Sequence, residues 1–522
     1  MANLTMQFMH ELSTQQAWML LLFSPLFLLL ARYSLATLAA IRARKSHRQP
    51  QRHGGDDLLL PPSPPALPVI GHLHHLVGSL PHVSLRRLAR KYGSDLMLLR
   101  LGAMPVLVVS SPRAAEAVVM YGPSDVGFVP YGDYWRVVRK LVTTHLLTVK
   151  RVQVFRLARE EVVREVMARI GEAAAVAKAV DMGELLGSFA NDLVCRAVMG
   201  KSFRGEGLNK LFRELVSDTS PLLGGFNIEE FFPFLSRFGV LGRVVRAKSE
   251  RLRRRWDEQL ERLIEEHESN LESASEDDSD FIQVLLSVRH EYGLTRDQMK
   301  AILLDVFFGG IGTGASVLEF TVAELILNQQ VMKKLQAKVR TAVPKGQETA
   351  SEDNLRDMPY LRAVIKESLR LHPPTTLLTP HFTMASFIVD GFVVPAGVSV
   401  VVNAWAIATD GRFWEDPEAF VPERFLDGGG AEGVGFRGGD FQFLPFGSGR
   451  RMCPGMNFGV AAVEAMLANL VQQFDWELPP GICRRVMSTC PRCTGWLCTG
   501  RRTCYWFQGN VCRRHPYSPS CN

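Results

Sequence analysis

The chain has 522 residues, 47% of them hydrophobic and 22% charged, the mix of a folded globular protein. This excludes a wholly disordered chain, a collagen-like fibre and a small disulfide scaffold, and a mean hydropathy of +0.03 argues against a polytopic membrane protein. The net charge of +7 and the nine cysteines look informative until they are mapped. Cys483, Cys490, Cys493, Cys498, Cys504, Cys512 and Cys521 all lie after Pro480. So do Arg484, Arg485, Arg492, Arg501, Arg502, Arg513 and Arg514, with no acid among them. The rest of the chain is charge-balanced, which removes the main support for a nucleic-acid partner. A body holding only Cys195 and Cys453 suits a reducing compartment.

Residues 12–31 carry no charge and are long enough to cross about 30 Å of hydrocarbon as one helix. Arg32, Arg42, Arg44, Lys45, Arg48 and Arg52 follow, which puts that side in the cytosol. A cleaved signal peptide would carry its positive charge before the apolar run, so residues 12–31 read as an uncleaved transmembrane anchor. Residues 32–71 form a basic stretch and a proline-rich hinge, PPSPPALPVIG at its end, stiff and extended. Residues 72–482 form one large body, and 483–522 an atypical tail.

The body reads as mainly α with minor β. Periodicity predicts amphipathic helices over 81–92, 131–147, 150–176, 180–200, 243–270, 297–327, 329–343, 354–371 and 458–474. Hairpins are expected at 96–111 and 387–405, and an acidic surface loop at 270–280.

Cys453 sits in FLPFGSGRRMCPGMNFG. A lone cysteine is usually a small buried apolar residue. Here glycines at 447, 449, 455 and 459 allow the backbone to approach something flat and large. An amphipathic helix begins just after the thiol, and a helix N-terminus favours a thiolate. Arg451 is placed to pair with a carboxylate.

Phe446, Gly449, Arg451, Cys453 and Gly455 match F-x-x-G-x-R-x-C-x-G, so the loop resembles the haem-binding loop of cytochromes P-450. KESLRLHPP supplies Glu367 and Arg370, an E-x-x-R pair on one helix face, and FVPERF supplies Arg424. YGDYWRVVRK supplies Trp135 and Arg139, a W-x-x-x-R pair. The body looks most like the plant microsomal A-type monooxygenases. The resemblance implies a cytochrome P-450 fold behind one N-terminal transmembrane helix, and haem b with Cys453 as axial thiolate. It implies that Trp135, Arg139 and Arg451 approach haem propionates, and that Glu367, Arg370 and Arg424 form a structural network. It implies a small apolar substrate, dioxygen, and electrons from NADPH–cytochrome P-450 reductase. The expected location is the endoplasmic reticulum membrane, single-pass, with the haem domain in the cytosol.

Three departures stand against that pattern. In VFFGGIGTGAS the expected acid and threonine align with Gly314 and Ala315, leaving Thr313 and Ser316 as substitutes for proton delivery. At Val119–Met120 two family segments are fused, and about 25 residues are missing. The tail replaces the usual apolar ending. Shifting the reading frame by one base, with permitted codons for Val486 to Gly509, restores an ending of family type, so the tail reads as frameshifted. A zinc module around Cys490, Cys493 and His515 is the rival, on irregular spacing. Two other functional readings stay open here. One is a haem-thiolate isomerase or dehydratase that needs no acid–alcohol pair. The other is a degenerate, inactive membrane-anchored haem protein.

Overall fold

The computed structural model describes residues 59–476 except 78, 122–131, 177, 179, 201–206, 224–230, 234–239 and 270–279. The anchor at 12–31, most of the hinge, residues 122–131, the acidic loop and the tail at 483–522 lie outside the described residues, whereas the fusion point Val119–Met120 falls near the end of a described helix.

In chain order, α1 (Pro81–Tyr92) leads to β1 (Leu96–Leu101) and β2 (Met104–Val109), then to α2 (Pro112–Tyr121) and α3 (Asp133–Leu141). A π-turn, Val142–Leu146, extends α3. Next come α4 (Val149–Val154), α5 (Arg156–Ala175), α6 (Met182–Met199), α7 (Leu208–Leu223), α8 (Val240–Ser269) and α9 (Phe281–Tyr292). The longest helix, α10 (Arg296–Leu327), is followed by α11 (Gln329–Ala342) and α12 (Pro359–Leu371). Four short strands follow: β3 (His381–Phe382), β4 (Phe387–Val389), β5 (Phe392–Val394) and β6 (Ser399–Val402). Finally come α13 (Ala404–Ala408) and α14 (Met456–Gln473).

The helix starts have local causes. Thr295 accepts from the Gln298 backbone while the Gln298 side chain accepts in return, a capping box at the head of α10. Asp280 and Gln283 do the same for α9. Each such reciprocal cap satisfies two backbone N–H groups that the helix itself leaves bare.

The nine predicted helices are present, several split or trimmed at turns, while α2, α7, α9 and the short α13 lie outside the predicted set. The hairpin expected over 387–405 is only partly formed. β4 and β5 pair antiparallel, but β6 leaves them and joins β2 in parallel, giving a sheet of order β1-β2-β6-β3. Alternation alone cannot reveal that partner, because a parallel neighbour lies far away in sequence.

α10 runs through the centre and packs most extensively on α6, with α7, α12 and α14 also against it. It is long and apolar enough to cross a membrane, but its neighbours on several sides make it the core helix of the fold. Its four glycines do not break it. At Gly310 an added Cβ would stand 2.7 Å from Val194 Cγ2 on α6, so glycine there permits the close helix crossing. The C-terminal half of α10 joins α5, α6, α11, α12 and α14 in one apolar core. Its N-terminal half joins α6, α7, α8 and α9 in another.

Candidate functional site

Cys453 lies between a short 3-10 turn, Gly449–Arg451, and the start of α14, where Gly455 is the N-cap residue. The Cys453 backbone N–H donates to the Phe446 carbonyl at 2.9 Å and closes the loop. Gly447 and Gly449 have φ of 70° and 69°, a left-handed conformation natural to glycine. A Cβ added at Gly447 or Gly459 would meet nothing within 4 Å. Phe446 packs edge-on to Phe436 at 5.5 Å and anchors the loop to the core.

Burial pushes the Cys453 thiol up, and the Gly455 backbone and Arg139 pull it only partly back. The helix start thus favours the thiolate, as the sequence suggested, but desolvation outweighs it. Yet Cys453 is not fully covered. Both facts hold together if the thiol borders an enclosed hollow.

α3 brings two side chains to this loop. Arg139 donates through Nη2 to the Met452 carbonyl at 2.6 Å, and Trp135 lies under the Arg451 guanidinium, 4.9 Å from Cζ to ring centroid. Burial lowers Arg451 to about 10 and lowers Arg139 as well, although Cys453 opposes the latter shift. Two cations strained by desolvation and a soft sulfur ligand thus meet at one loop. Iron protoporphyrin fits this donor set: the metal favours the thiolate, and anionic propionates compensate buried guanidiniums.

Behind the loop, Glu367, Arg370 and Arg424 come together as expected. Arg370 Nε and Nη2 donate to the Glu367 carboxylate at 2.7 and 2.9 Å. Arg424 Nε reaches both Glu367 oxygens at 3.1 Å. Arg370 also donates to the carbonyls of Ala408, Pro417 and Ala419, so the network ties α12 to the segment that leads into the loop.

On α10 the open positions are Gly309, which is exposed, and Gly312, Thr313 and Ser316, which are half-buried. Thr313 Oγ1 donates to the Gly309 carbonyl at 2.7 Å, and Ser316 Oγ to the Gly312 carbonyl at 2.9 Å. Each hydroxyl hydrogen is held by its own helix, and each oxygen keeps acceptor capacity. Ala315 is only 7% exposed and, at 100° per residue, lies well away from Gly309 and Thr313. Ala315, where the sequence placed the alcohol position, therefore does not face the open stripe; the hydroxyls that do are those of Thr313 and Ser316, with Gly312 beside Thr313.

Sequence reasoning missed Asp305, one turn before Gly309. The available signal was a single acid inside the apolar run AILLDVFFGG. Its carboxyl is pushed up to about 7 by burial.

The family model for Cytochrome P450 matches residues 61–489. The chain belongs to the cytochrome P450 family. This cytochrome P450 is 50% identical over 501 residues to an indole-2-monooxygenase of Zea mays, covering 91% of this chain and 93% of the relative. It is 48% identical over 489 residues to an indolin-2-one monooxygenase of Zea mays (88% and 90%). It is also 48% identical over 444 residues to a 3-hydroxyindolin-2-one monooxygenase of Zea mays (80% and 83%). The P450 is a plant A-type haem-thiolate monooxygenase, an oxidoreductase that incorporates molecular oxygen and binds haem b.

Proposed function

We propose that this P450 oxygenates an indole-type bicyclic metabolite. The observation that carries this reading is the near-equal identity, 50%, 48% and 48%, to three relatives named for indole and its oxygenated derivatives. When bound, haem activates dioxygen and supplies the oxidising equivalent. Cys453 would hold its iron, and Arg139, Arg451 and Trp135 would hold and cover the propionates. Phe446, Gly449 and Gly455 shape the loop around that group. On α10, Thr313 and Ser316 would accept and pass protons through ordered water, with no acid at Gly312 or Gly314 to help. General acid–base groups of this kind commonly contribute about 10²–10⁴-fold.

Electrons would come singly from NADPH–cytochrome P-450 reductase, for which exposed Arg450 offers an electrostatic contact. The apolar run at 12–31 would anchor the protein in the endoplasmic reticulum membrane with the haem domain in the cytosol, the proline-rich hinge between them. We also infer an internal deletion near Val119–Met120 and a frameshifted tail. In support of the deletion, the match over 501 residues takes in 91% of a 522-residue chain, which leaves about 25 aligned positions without a counterpart here. Sequencing the transcript tests both, and an uninterrupted frame as printed, shared by close relatives, contradicts the frameshift.

The substrate reading is tested by incubating the haem-loaded protein and a plant reductase with NADPH, dioxygen and indole, indolin-2-one or 3-hydroxyindolin-2-one. A product heavier by one oxygen is expected from at least one of them. A protein with an intact thiolate carbon-monoxide spectrum that oxidises none of the three refutes the substrate class.

A further inference from the structure

Asp305 is an acid on the open stripe of α10, which Glu319 also flanks three residues after Ser316. It stands eight residues before Thr313, a distance of about 12 Å along the axis at 1.5 Å per residue. At 100° per residue it shares a face with Gly309 and Thr313. It is half-buried, and among the described residues it has no hydrogen-bond or ion-pair partner. Nor does any cation offset its burial, the sole cause of its shift.

α3 relates this carboxyl to the cysteine loop. Tyr134 of α3 feels the Asp305 charge, and the next residue, Trp135, lies under Arg451. Asp305 therefore lies on the side of α10 approached by α3, which packs in one apolar cluster with Phe307 and Ile311 and carries Trp135 and Arg139 to the cysteine loop, about two helical turns from the alcohol that would handle protons. That separation is too long for Asp305 to replace the missing acid in direct contact with Thr313. It matches a group that holds one end of a bound molecule while another part of that molecule reaches the reacting centre.

We propose that Asp305 is a specificity-determining residue that accepts a hydrogen bond from a ring N–H of the substrate. The ligand class is an apolar heteroaromatic carrying a nitrogen-bound hydrogen. This deepens the indole-type reading and rests on it. A carboxyl without a donor in an apolar wall bears a desolvation penalty. An N–H donated by the ligand relieves it, and hydrogen bonds to charged acceptors are worth about ten-fold or more in affinity. The Tyr134 phenol is the titratable neighbour that faces this carboxyl.

The test uses the haem-loaded full chain, its reduced carbon-monoxide spectrum checked first, and two probes, indole and 1-methylindole. Spectral titration of the ferric Soret band measures affinity. Wild type is expected to bind indole about ten-fold or more tightly than 1-methylindole, and Asp305→Leu is expected to reduce that ratio to about one. Asp305→Asn keeps an acceptor and the side-chain shape, and is expected to retain part of the preference. A wild-type measurement needs no variant: near pH 7, calorimetry in two buffers should show protons released by indole and none by 1-methylindole. Equal affinity of wild type for both probes, an unchanged ratio in the leucine variant, equal proton counts, or no binding of either probe would each overturn the proposal. Loss of the thiolate spectrum in wild type would instead contradict the haem-thiolate reading beneath it.

Discussion

Replacing Glu367 with alanine removes the carboxylate shared by two buried guanidiniums. Glu367 and Arg370 are both 0% exposed, and Arg424 is 8% exposed. Glu367 accepts from Arg370 twice, from Arg424 twice, and from the Val421 backbone N–H at 2.8 Å. Removing one partner of a buried ion pair costs about 3–5 kcal/mol, because the surviving charge is left in low dielectric. Here two charges and one backbone donor are left, while the carbonyls of Ala408, Pro417 and Ala419 still solvate Arg370. The expected loss for Glu367→Ala is therefore at the upper end, about 4–5 kcal/mol. Arg424→Ala leaves the Glu367–Arg370 pair whole but removes the Arg424 contacts to both Glu367 oxygens and to the Glu415 and Asp416 carbonyls, and about 1.5–3 kcal/mol follows. The assay is thermal melting of haem-loaded protein by circular dichroism, with haem content measured in parallel. Glu367→Ala should melt lowest and lose haem first, because the network braces the chain that leads to Cys453. A Glu367→Ala protein that melts within a degree of wild type, or an Arg424→Ala protein as unstable as it, refutes the reasoning.

Three further outcomes follow from the same geometry. Gly310→Ala puts a Cβ 2.7 Å from Val194 Cγ2; overpacking of this kind costs about 1–3 kcal/mol, and adding Val194→Ala should restore most of the lost melting temperature. Asp305 and Glu319 are both pushed up to about 7, chiefly by burial, above ordinary carboxylate values. Both bind protons in the folded state that the unfolded chain gives up, so the stability these two groups contribute is full below about pH 4 and is lost as pH rises through 7; in urea titrations across that window, Asp305→Asn with Glu319→Gln should flatten the slope. Thr313→Ala should raise peroxide released per NADPH, with turnover reduced by about ten-fold or more, whereas Ala315→Ser, buried off the open stripe, should leave that ratio unchanged.

The haem loop and its supporting network were legible because their chemistry is local in sequence. Gly449 is needed for its positive φ, Glu367 and Arg370 sit one helical turn apart, and Cys453 directly precedes a helix. The open stripe of α10 was misread because four glycines in six residues leave no side chains to mark a face. Burial had to show that Ala315 points inward and Thr313 does not. β6 escaped because its partner β2 is about 290 residues earlier in the chain. Asp305 escaped because one acid in an apolar run carries no spacing, and only its lack of partners in the fold marks it.

The central claim is that Cys453 of this chain holds haem iron through its thiolate. It is tested most directly by the reduced carbon-monoxide difference spectrum of the wild-type protein beside Cys453→Ser and Cys453→His. The account predicts a red-shifted thiolate Soret band in wild type and its loss in both variants. A thiolate band that survives in Cys453→Ser, or its absence from folded, haem-loaded wild type, would contradict it.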